Sequence, residues 1–129
     1  PSTAVTCTPG SLPTMASSSL SSPNDKSSCA AIKCSEDGRF LYVSNRGDDS
    51  IAVFRIDPKN GLLHLVQIEK AGGRTPRDIL VLKDMLLSAN QDSNTITYFY
   101  RNEDTGILTR RTGETSCHAP VCLTAVPTA

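Results

Sequence analysis

The sequence predicts an all-β chain built from repeated four-stranded units, and three observations carry that expectation. Beyond residue 28 the chain is rich in Val, Ile, Leu, Tyr and Phe set between clusters of Gly, Pro, Asn and Asp, which is the vocabulary of strands and turns. No stretch shows helical periodicity. The chain also repeats itself: a shift of 45 places Leu41, Asn45, Ile51, Phe54, Gly61 and Leu63 on Leu86, Asn90, Ile96, Phe99, Gly106 and Leu108, without a gap.

Taken in order, residues 1–28 are dominated by Ser and Pro with few large apolar residues, so they cannot bury enough surface to offset the entropy of ordering them. They read as loop. AAIKCS is a first strand, FLYVSN a second that ends at Asn45, and RGDDS a polar turn before the alternation of SIAVFRI. Asp57 to Gly61 is a five-residue hairpin connection whose terminal Gly takes a positive φ, and LLHLVQIE is the fourth strand. The second unit repeats this with PRDILVL, MLLSAN, the turn QDSNT, ITYFYR, the connection Asn102 to Gly106, and ILTRRTGE.

Four strands in 45 residues is the strand count and length of a β-propeller blade. The expected organisation is a Ser/Pro-rich loop over 1–28 with the end of a preceding blade, two blades over about 29–73 and 74–116, a short closing strand at APVCL that ends the region 29–123, and a tail over 124–129. Propellers close with about four to eight blades, so two blades cannot form a ring. With no initiator Met at Pro1, the chain is expected to be the C-terminal fragment of a propeller whose N-terminal blades are missing. The outer faces of its blades are then expected to stand exposed as apolar surface.

Thirteen basic and thirteen acidic residues give zero net charge, which argues against a nucleic-acid partner or an anionic membrane surface. No apolar run approaches the roughly eighteen residues that a membrane helix needs. Five cysteines, an odd number, and no Asn-x-Ser/Thr sequon fit a reducing cytoplasm better than a disulfide framework. Cys29 with Cys34, and Cys117 with Cys122 beside His118, have spacings that raise a zinc site. Residues five apart on an extended strand point to opposite faces, so inert buried thiols are expected, with no metal and no cofactor.

SEDGRFLYVSNRGDDSIAVFRID, followed by TPRDILV, LLSANQDSNTITYF, DTGIL and the terminal PVCL, resembles the seven-bladed lactonase family of 6-phosphogluconolactonase type, from about Cys29 to Leu123. Even SLPT at Ser11 to Thr14 is similar to the outer-strand end of a preceding blade. The resemblance implies a cytosolic, metal-independent enzyme that hydrolyses 6-phosphogluconolactone in the pentose phosphate pathway, with related members acting as carboxymuconate cyclases.

Lactone opening needs water activated by a base, donors for the oxyanion, and cations for a phosphate. Arg46 of SNRG and Arg77 of TPRD stand at comparable stages of successive blades, where a propeller's channel opens, and their guanidinium groups suit an anion but not the role of base. The alternative for both is bridging between blades. Asn45, Asn90 and Gln91 could donate to a sugar, although a strand-end Asn more often satisfies its own turn. Asp78 is either a carboxylate at the site or, the favoured reading, a strand tether. His64 reads as a surface or edge residue and His118 lies in a Cys- and Pro-flanked loop, either of them a base in principle, but no Ser-His-Asp constellation is present and the catalytic residue is unknown.

The chain departs from the family pattern in one consequential place. Where that pattern runs Ala-Glu-Ile, this sequence has Ala30-Ala31-Ile32, and the next His of the pattern is Lys33. The PRD blade is also about two residues shorter before its inner strand, with Lys83-Asp84 in place of a Pro-x-Gly-Arg turn. Two functions follow: a lactonase acting on a phosphorylated sugar lactone whose base lies on other blades, or a non-catalytic propeller scaffold that has lost the acidic residue at Ala31.

Overall fold

The computed structural model describes residues 28–124. Eight strands run in chain order: β1 Ser28–Cys34, β2 Phe40–Arg46, β3 Ser50–Ile56, β4 Leu63–Lys70, β5 Pro76–Val81, β6 Met85–Asn90, β7 Thr95–Arg101 and β8 Leu108–Ser116. They form two four-stranded antiparallel meanders, β1-β2-β3-β4 and β5-β6-β7-β8, which are the two repeat units read from the sequence. The five-residue connections close as the Gly signal predicts. Gly61 donates to the Asp57 carbonyl at 2.8 Å with φ of 72°, and Gly106 donates to the Asn102 carbonyl at 2.8 Å with φ of 76°.

The sheets stack face to face, with the first strands β1 and β5 neighbouring each other. Strand alternation sends Phe40, Tyr42, Ile51 and Val53 of the first sheet and Ile79, Leu86, Phe99 and Leu108 of the second into one shared apolar cluster. All are at most 2 % exposed, so burial here is the main force that joins the units. Tyr42 crosses the boundary to donate to the Gly106 carbonyl at 2.8 Å, while the Arg101 guanidinium lies over its ring at 5.7 Å. Gln67 of β4 pairs with the backbone of Leu108 in both directions, donating to its carbonyl at 2.9 Å and accepting its N–H at 2.7 Å.

The expectation of exposed outer faces is corrected on the first sheet and is met only in part on the second. Leu41, Val43, Ala52 and Phe54 face away from the second sheet yet are at most 4 % exposed, in a cluster with Ile32, Ile56, Leu63 and Ile68. On the far side of the second sheet Leu87, Ile96 and Tyr98 are half-covered and Tyr100 is 54 % exposed.

The chain leaves both sheets in the same way. Asp49, with φ of 54°, accepts the Ala71 N–H on its carbonyl at 2.9 Å and the Thr75 N–H on its carboxylate at 3.0 Å. Asn94, its counterpart 45 residues on, has φ of 55° and accepts the Cys117 N–H on its carbonyl at 3.0 Å and the Ala119 N–H on Oδ1 at 2.9 Å. Thr75 and Ala119 both have positive φ, and each is followed by a buried proline, Pro76 and Pro120. Residues 119–124 therefore begin as β5 begins, although residues 117–124 form no ladder with the described residues. Of the loop and preceding-blade end expected over 1–28 and the tail over 124–129, residues 1–27 and 125–129 lie outside the described residues, and Ser28 opens β1.

Candidate functional site

Antiparallel register brings the five sequence-predicted residues to one end of the sheets. Asn45 is paired with Cys29 and Arg46 with Ser28, so both stand beside the start of β1. Asn90 is paired with Pro76 at the start of β5, and Gln91 follows in a single 3₁₀ turn, Gln91–Ser93. The link between the sheets crosses this end: Gln91 donates its backbone N–H to the Thr75 carbonyl at 2.9 Å, and the Thr75 hydroxyl donates to the Asp92 carboxylate at 2.5 Å.

The two asparagines are buried and committed within their own sheets. Asn45, 1 % exposed, donates to Ser50 Oγ at 3.3 Å and accepts from the Cys29 thiol at 3.6 Å. Asn90, fully buried, donates to Thr97 Oγ1 at 3.0 Å and accepts from the Ser88 hydroxyl at 2.9 Å. The backbone of Gly73 lies so close over Asn90 that a Cβ there would stand 2.6 Å from Nδ2. Each asparagine ties the end of its second strand to the start of its third, because a buried amide needs its polar atoms paired.

The arginines are differently placed. Arg46 is half-buried, and its Nε is buried without a hydrogen-bond partner among the described residues. Arg77 is the extra residue of a β-bulge between Pro76 and Asp78, which releases it from the ladder with β6. It is exposed, and its guanidinium donates to Gln91 Oε1 at 3.4 Å. A permanently charged, forked donor with a buried unmet N–H, and a second one projecting from a bulge at the same end of the neighbouring sheet, suit an anionic group.

Asp78 and Lys33 complete this region in a way the sequence pattern only half captures. Asp78 is 9 % exposed; its carboxylate accepts the Leu123 N–H at 2.7 Å and stands 3.6 Å from Lys33 Nζ. The tether expected at Asp78 is what the geometry displays, but the sequence pattern names neither partner. Leu123 lies 45 residues away, and the signal that could have found it is the shared proline of TPRDIL and APVCLT. Ala31 is 7 % exposed and packs in the shared core, with its N–H donated to Ser44 Oγ at 3.0 Å across the β1 bulge.

Other candidate groups lie apart. His64 on β4 is 3.8 Å from Asp57, a carboxyl held below its ordinary pKa mainly by the Lys59 N–H. Asp37 also lies at the opposite end; burial raises its pKa, but hydrogen bonds from Ser35 and Arg39 outweigh it and bring the value to about 2. The inert, buried thiols expected from the sequence are corrected: Cys34 is disulfide-bonded, Cys29 and Cys117 are half-buried, and Cys122 is exposed on a terminal segment that joins no ladder among the described residues. Among the described residues no group of three or more His, Cys, Asp or Glu is gathered as a metal ion would require.

Two stacked four-stranded antiparallel meanders, offset by a 45-residue repeat and carrying Arg46 at the end of β2 and Arg77 at the start of β5, define a portion of a β-propeller. Residues 6–125 match the family model described as Lactonase, 7-bladed beta-propeller, and the chain belongs to that family. It is 38 % identical over 101 residues to the 6-phosphogluconolactonase of Bacillus subtilis, a match that takes in 77 % of this chain and 29 % of that protein. Among solved structures it is similar to the periplasmic gluconolactonase PpgL of Pseudomonas aeruginosa, with a TM-score of 0.74 and 34 % identity over 79 % of this chain and 30 % of the other. A protein from Lactobacillus plantarum gives a TM-score of 0.73 and 33 % identity over 78 % and 30 %. The chain thus spans less than a third of the length of these relatives.

Proposed function

We propose that the protein containing this chain hydrolyses 6-phosphogluconolactone, as a step of carbohydrate metabolism in the pentose phosphate pathway, and that these two blades supply its anion-binding side. The observation that carries the reading is the pair Arg46 and Arg77: one holds a buried N–H without a partner among the described residues, the other is set free by a bulge at the same end. The similarity to a named 6-phosphogluconolactonase supports the choice of substrate.

In this reading water adds to the lactone carbonyl carbon, the ring C–O bond breaks, and the ring oxygen leaves as a hydroxyl once it has received a proton. The arginines bind the phosphate or the developing oxyanion and stabilise charge in the transition state, and Gln91 orients Arg77. A guanidinium does not give up its proton, so the base comes from the remaining blades.

One observation favours a second reading, a non-catalytic binding scaffold: position 31 is a buried Ala rather than a carboxylate. The test is hydrolysis of freshly generated 6-phosphogluconolactone by the full-length protein, with folded Arg46→Ala and Arg77→Ala beside it. Turnover above the spontaneous rate, falling on the order of tenfold or more in either variant, is expected of the lactonase. A folded wild type that leaves the spontaneous rate unchanged rules out this substrate and turns the reading to the scaffold.

A further inference from the structure

The likeness between residues 75–80 and 119–124 changes the meaning of the ring position occupied by Ala31. On β5 the bulge lies between Pro76 and Asp78; on β1 it lies between Cys29 and Ile32. Cys29 and Pro76 face the equivalent asparagines 45 and 90, and Ile32 and Ile79 face the equivalent residues Val43 and Ser88. Asp78 is therefore the counterpart of Ala31, one blade further on. Its carboxylate is already engaged: one oxygen accepts the Leu123 N–H at 2.7 Å, and the other meets Lys33 Nζ at 3.6 Å.

Three successive inner segments thus meet at one carboxylate. Lys33 comes from β1, Asp78 from β5, and Leu123 from the segment that leaves the second sheet as β5 follows the first. The N–H···carboxylate bond is charge-assisted, short and partly buried, so it is the stronger arm. Lys33, with 43 % of its side chain exposed, is the weaker, solvent-screened arm. The residue immediately before this carboxylate is Arg77, released from the ladder by the bulge that Asp78 ends.

We propose that Asp78 is a positioning residue: by joining the three inner segments it fixes the bulge that presents Arg77 to an anion. The proposal rests on the reading of Arg77 as an anion-binding group, and it assigns the acidic ring position a tethering role between blades. Ala31 then marks a boundary where the carboxylate tether is absent and apolar packing in the shared core takes its place.

The test uses the full-length protein with Asp78→Ala and Asp78→Asn, and three readouts: affinity for inorganic phosphate, KM and kcat for 6-phosphogluconolactone, and hydrogen exchange at the Leu123 amide. Asp78→Ala is expected to expose the Leu123 amide to exchange and to weaken phosphate binding and raise KM about tenfold, with kcat within about threefold. Asp78→Asn keeps an acceptor for Leu123 and recovers most of both losses. Should Asp78→Ala fail to fold, Asp78→Ser, whose shorter hydroxyl falls away from Leu123, carries the same expectations.

Wild-type phosphate affinity in a variant with an unprotected Leu123 amide makes Asp78 a fold staple only and overturns the proposal, as does a wild type that binds no phosphate. A wild type that binds phosphate without hydrolysing the lactone sinks the lactonase reading alone, and phosphate affinity then judges Asp78.

Discussion

The hydroxyl of Tyr42 donates to the carbonyl of Gly106 at 2.8 Å, across the boundary between the two sheets and with both partners buried. Burial is the main cause that pushes the Tyr42 pKa up to about 12, with the nearby Arg101 guanidinium opposing it. In the folded protein the neutral phenol is favoured, so the associated stability is fully present below about pH 10 and is lost as pH rises through 12. Tyr42→Phe should cost about 1–3 kcal/mol at pH 7, because the Gly106 carbonyl loses its side-chain donor. The gap to wild type should narrow between pH 10 and 12 in urea-denaturation curves; a constant gap would remove the hydroxyl from the account.

Gly106 and Gly61 occupy equivalent turns with nearly equal φ, of 76° and 72°, yet their surroundings differ. A Cβ on Gly106 would stand 2.5 Å from the Phe40 ring, whereas one on Gly61 meets nothing within 4 Å. Both substitutions to Ala place an L side chain in the left-handed region, at about 1–2 kcal/mol. Only Gly106→Ala should add overpacking, on the order of 1–3 kcal/mol more. Thermal melts of the two variants check this, and Phe40→Leu should relieve much of the second cost.

Gln67 acts as a side-chain substitute for a strand neighbour, since its amide meets both the N–H and the carbonyl of Leu108. Gln67→Ala should destabilise the packing of one sheet on the other by about 1–3 kcal/mol through two backbone groups left unpaired. Gln67→Glu should be no better at neutral pH, because a carboxylate oxygen replaces the donor that faces the Leu108 carbonyl. Hydrogen exchange at the Leu108 amide reads this directly: it should accelerate in Gln67→Ala.

Asp37 organises the β1–β2 turn, accepting from the Ser35 hydroxyl at 2.6 Å and the Arg39 N–H at 3.1 Å. Those bonds hold its carboxyl at about 2, below the ordinary 3.8. A depressed carboxyl contributes stability that is present above about pH 4 and is lost as pH falls through 2. Asp37→Asn should therefore be less stable than wild type at pH 6, and the difference should shrink between pH 4 and 2. With 42 % of the Asp37 side chain exposed, added salt should also reduce the difference.

Much of the fold is legible in the amino-acid sequence, because strands and turns are specified by residues close together in the chain. The 45-residue repeat, the eight strands and the two Gly-terminated connections all rest on alternation and on a residue type that tolerates positive φ. The site is legible as a location: Arg46, Arg77, Asn45, Asn90 and Gln91 share one end because antiparallel register follows from strand length and turn position. Their states are not legible. That Asn90 is engaged with Ser88 and Thr97 depends on which face each residue takes, and that Arg77 stands clear of the ladder depends on a bulge that composition does not announce.

The sequence by itself determined the all-β repeat and the meander within each unit, since both are set by contacts between near neighbours in the chain. Only the tertiary structure decided the joints between units: Tyr42 with Gly106, Gln67 with Leu108, and Asp78 with Lys33 and Leu123. These pairs lie 41 to 64 residues apart, and each joins groups from different repeat units that local sequence does not bring to bonding distance. Hydrophobic burial brings the sheets together without choosing partners, and the short polar contacts along the boundary then set one blade against the next.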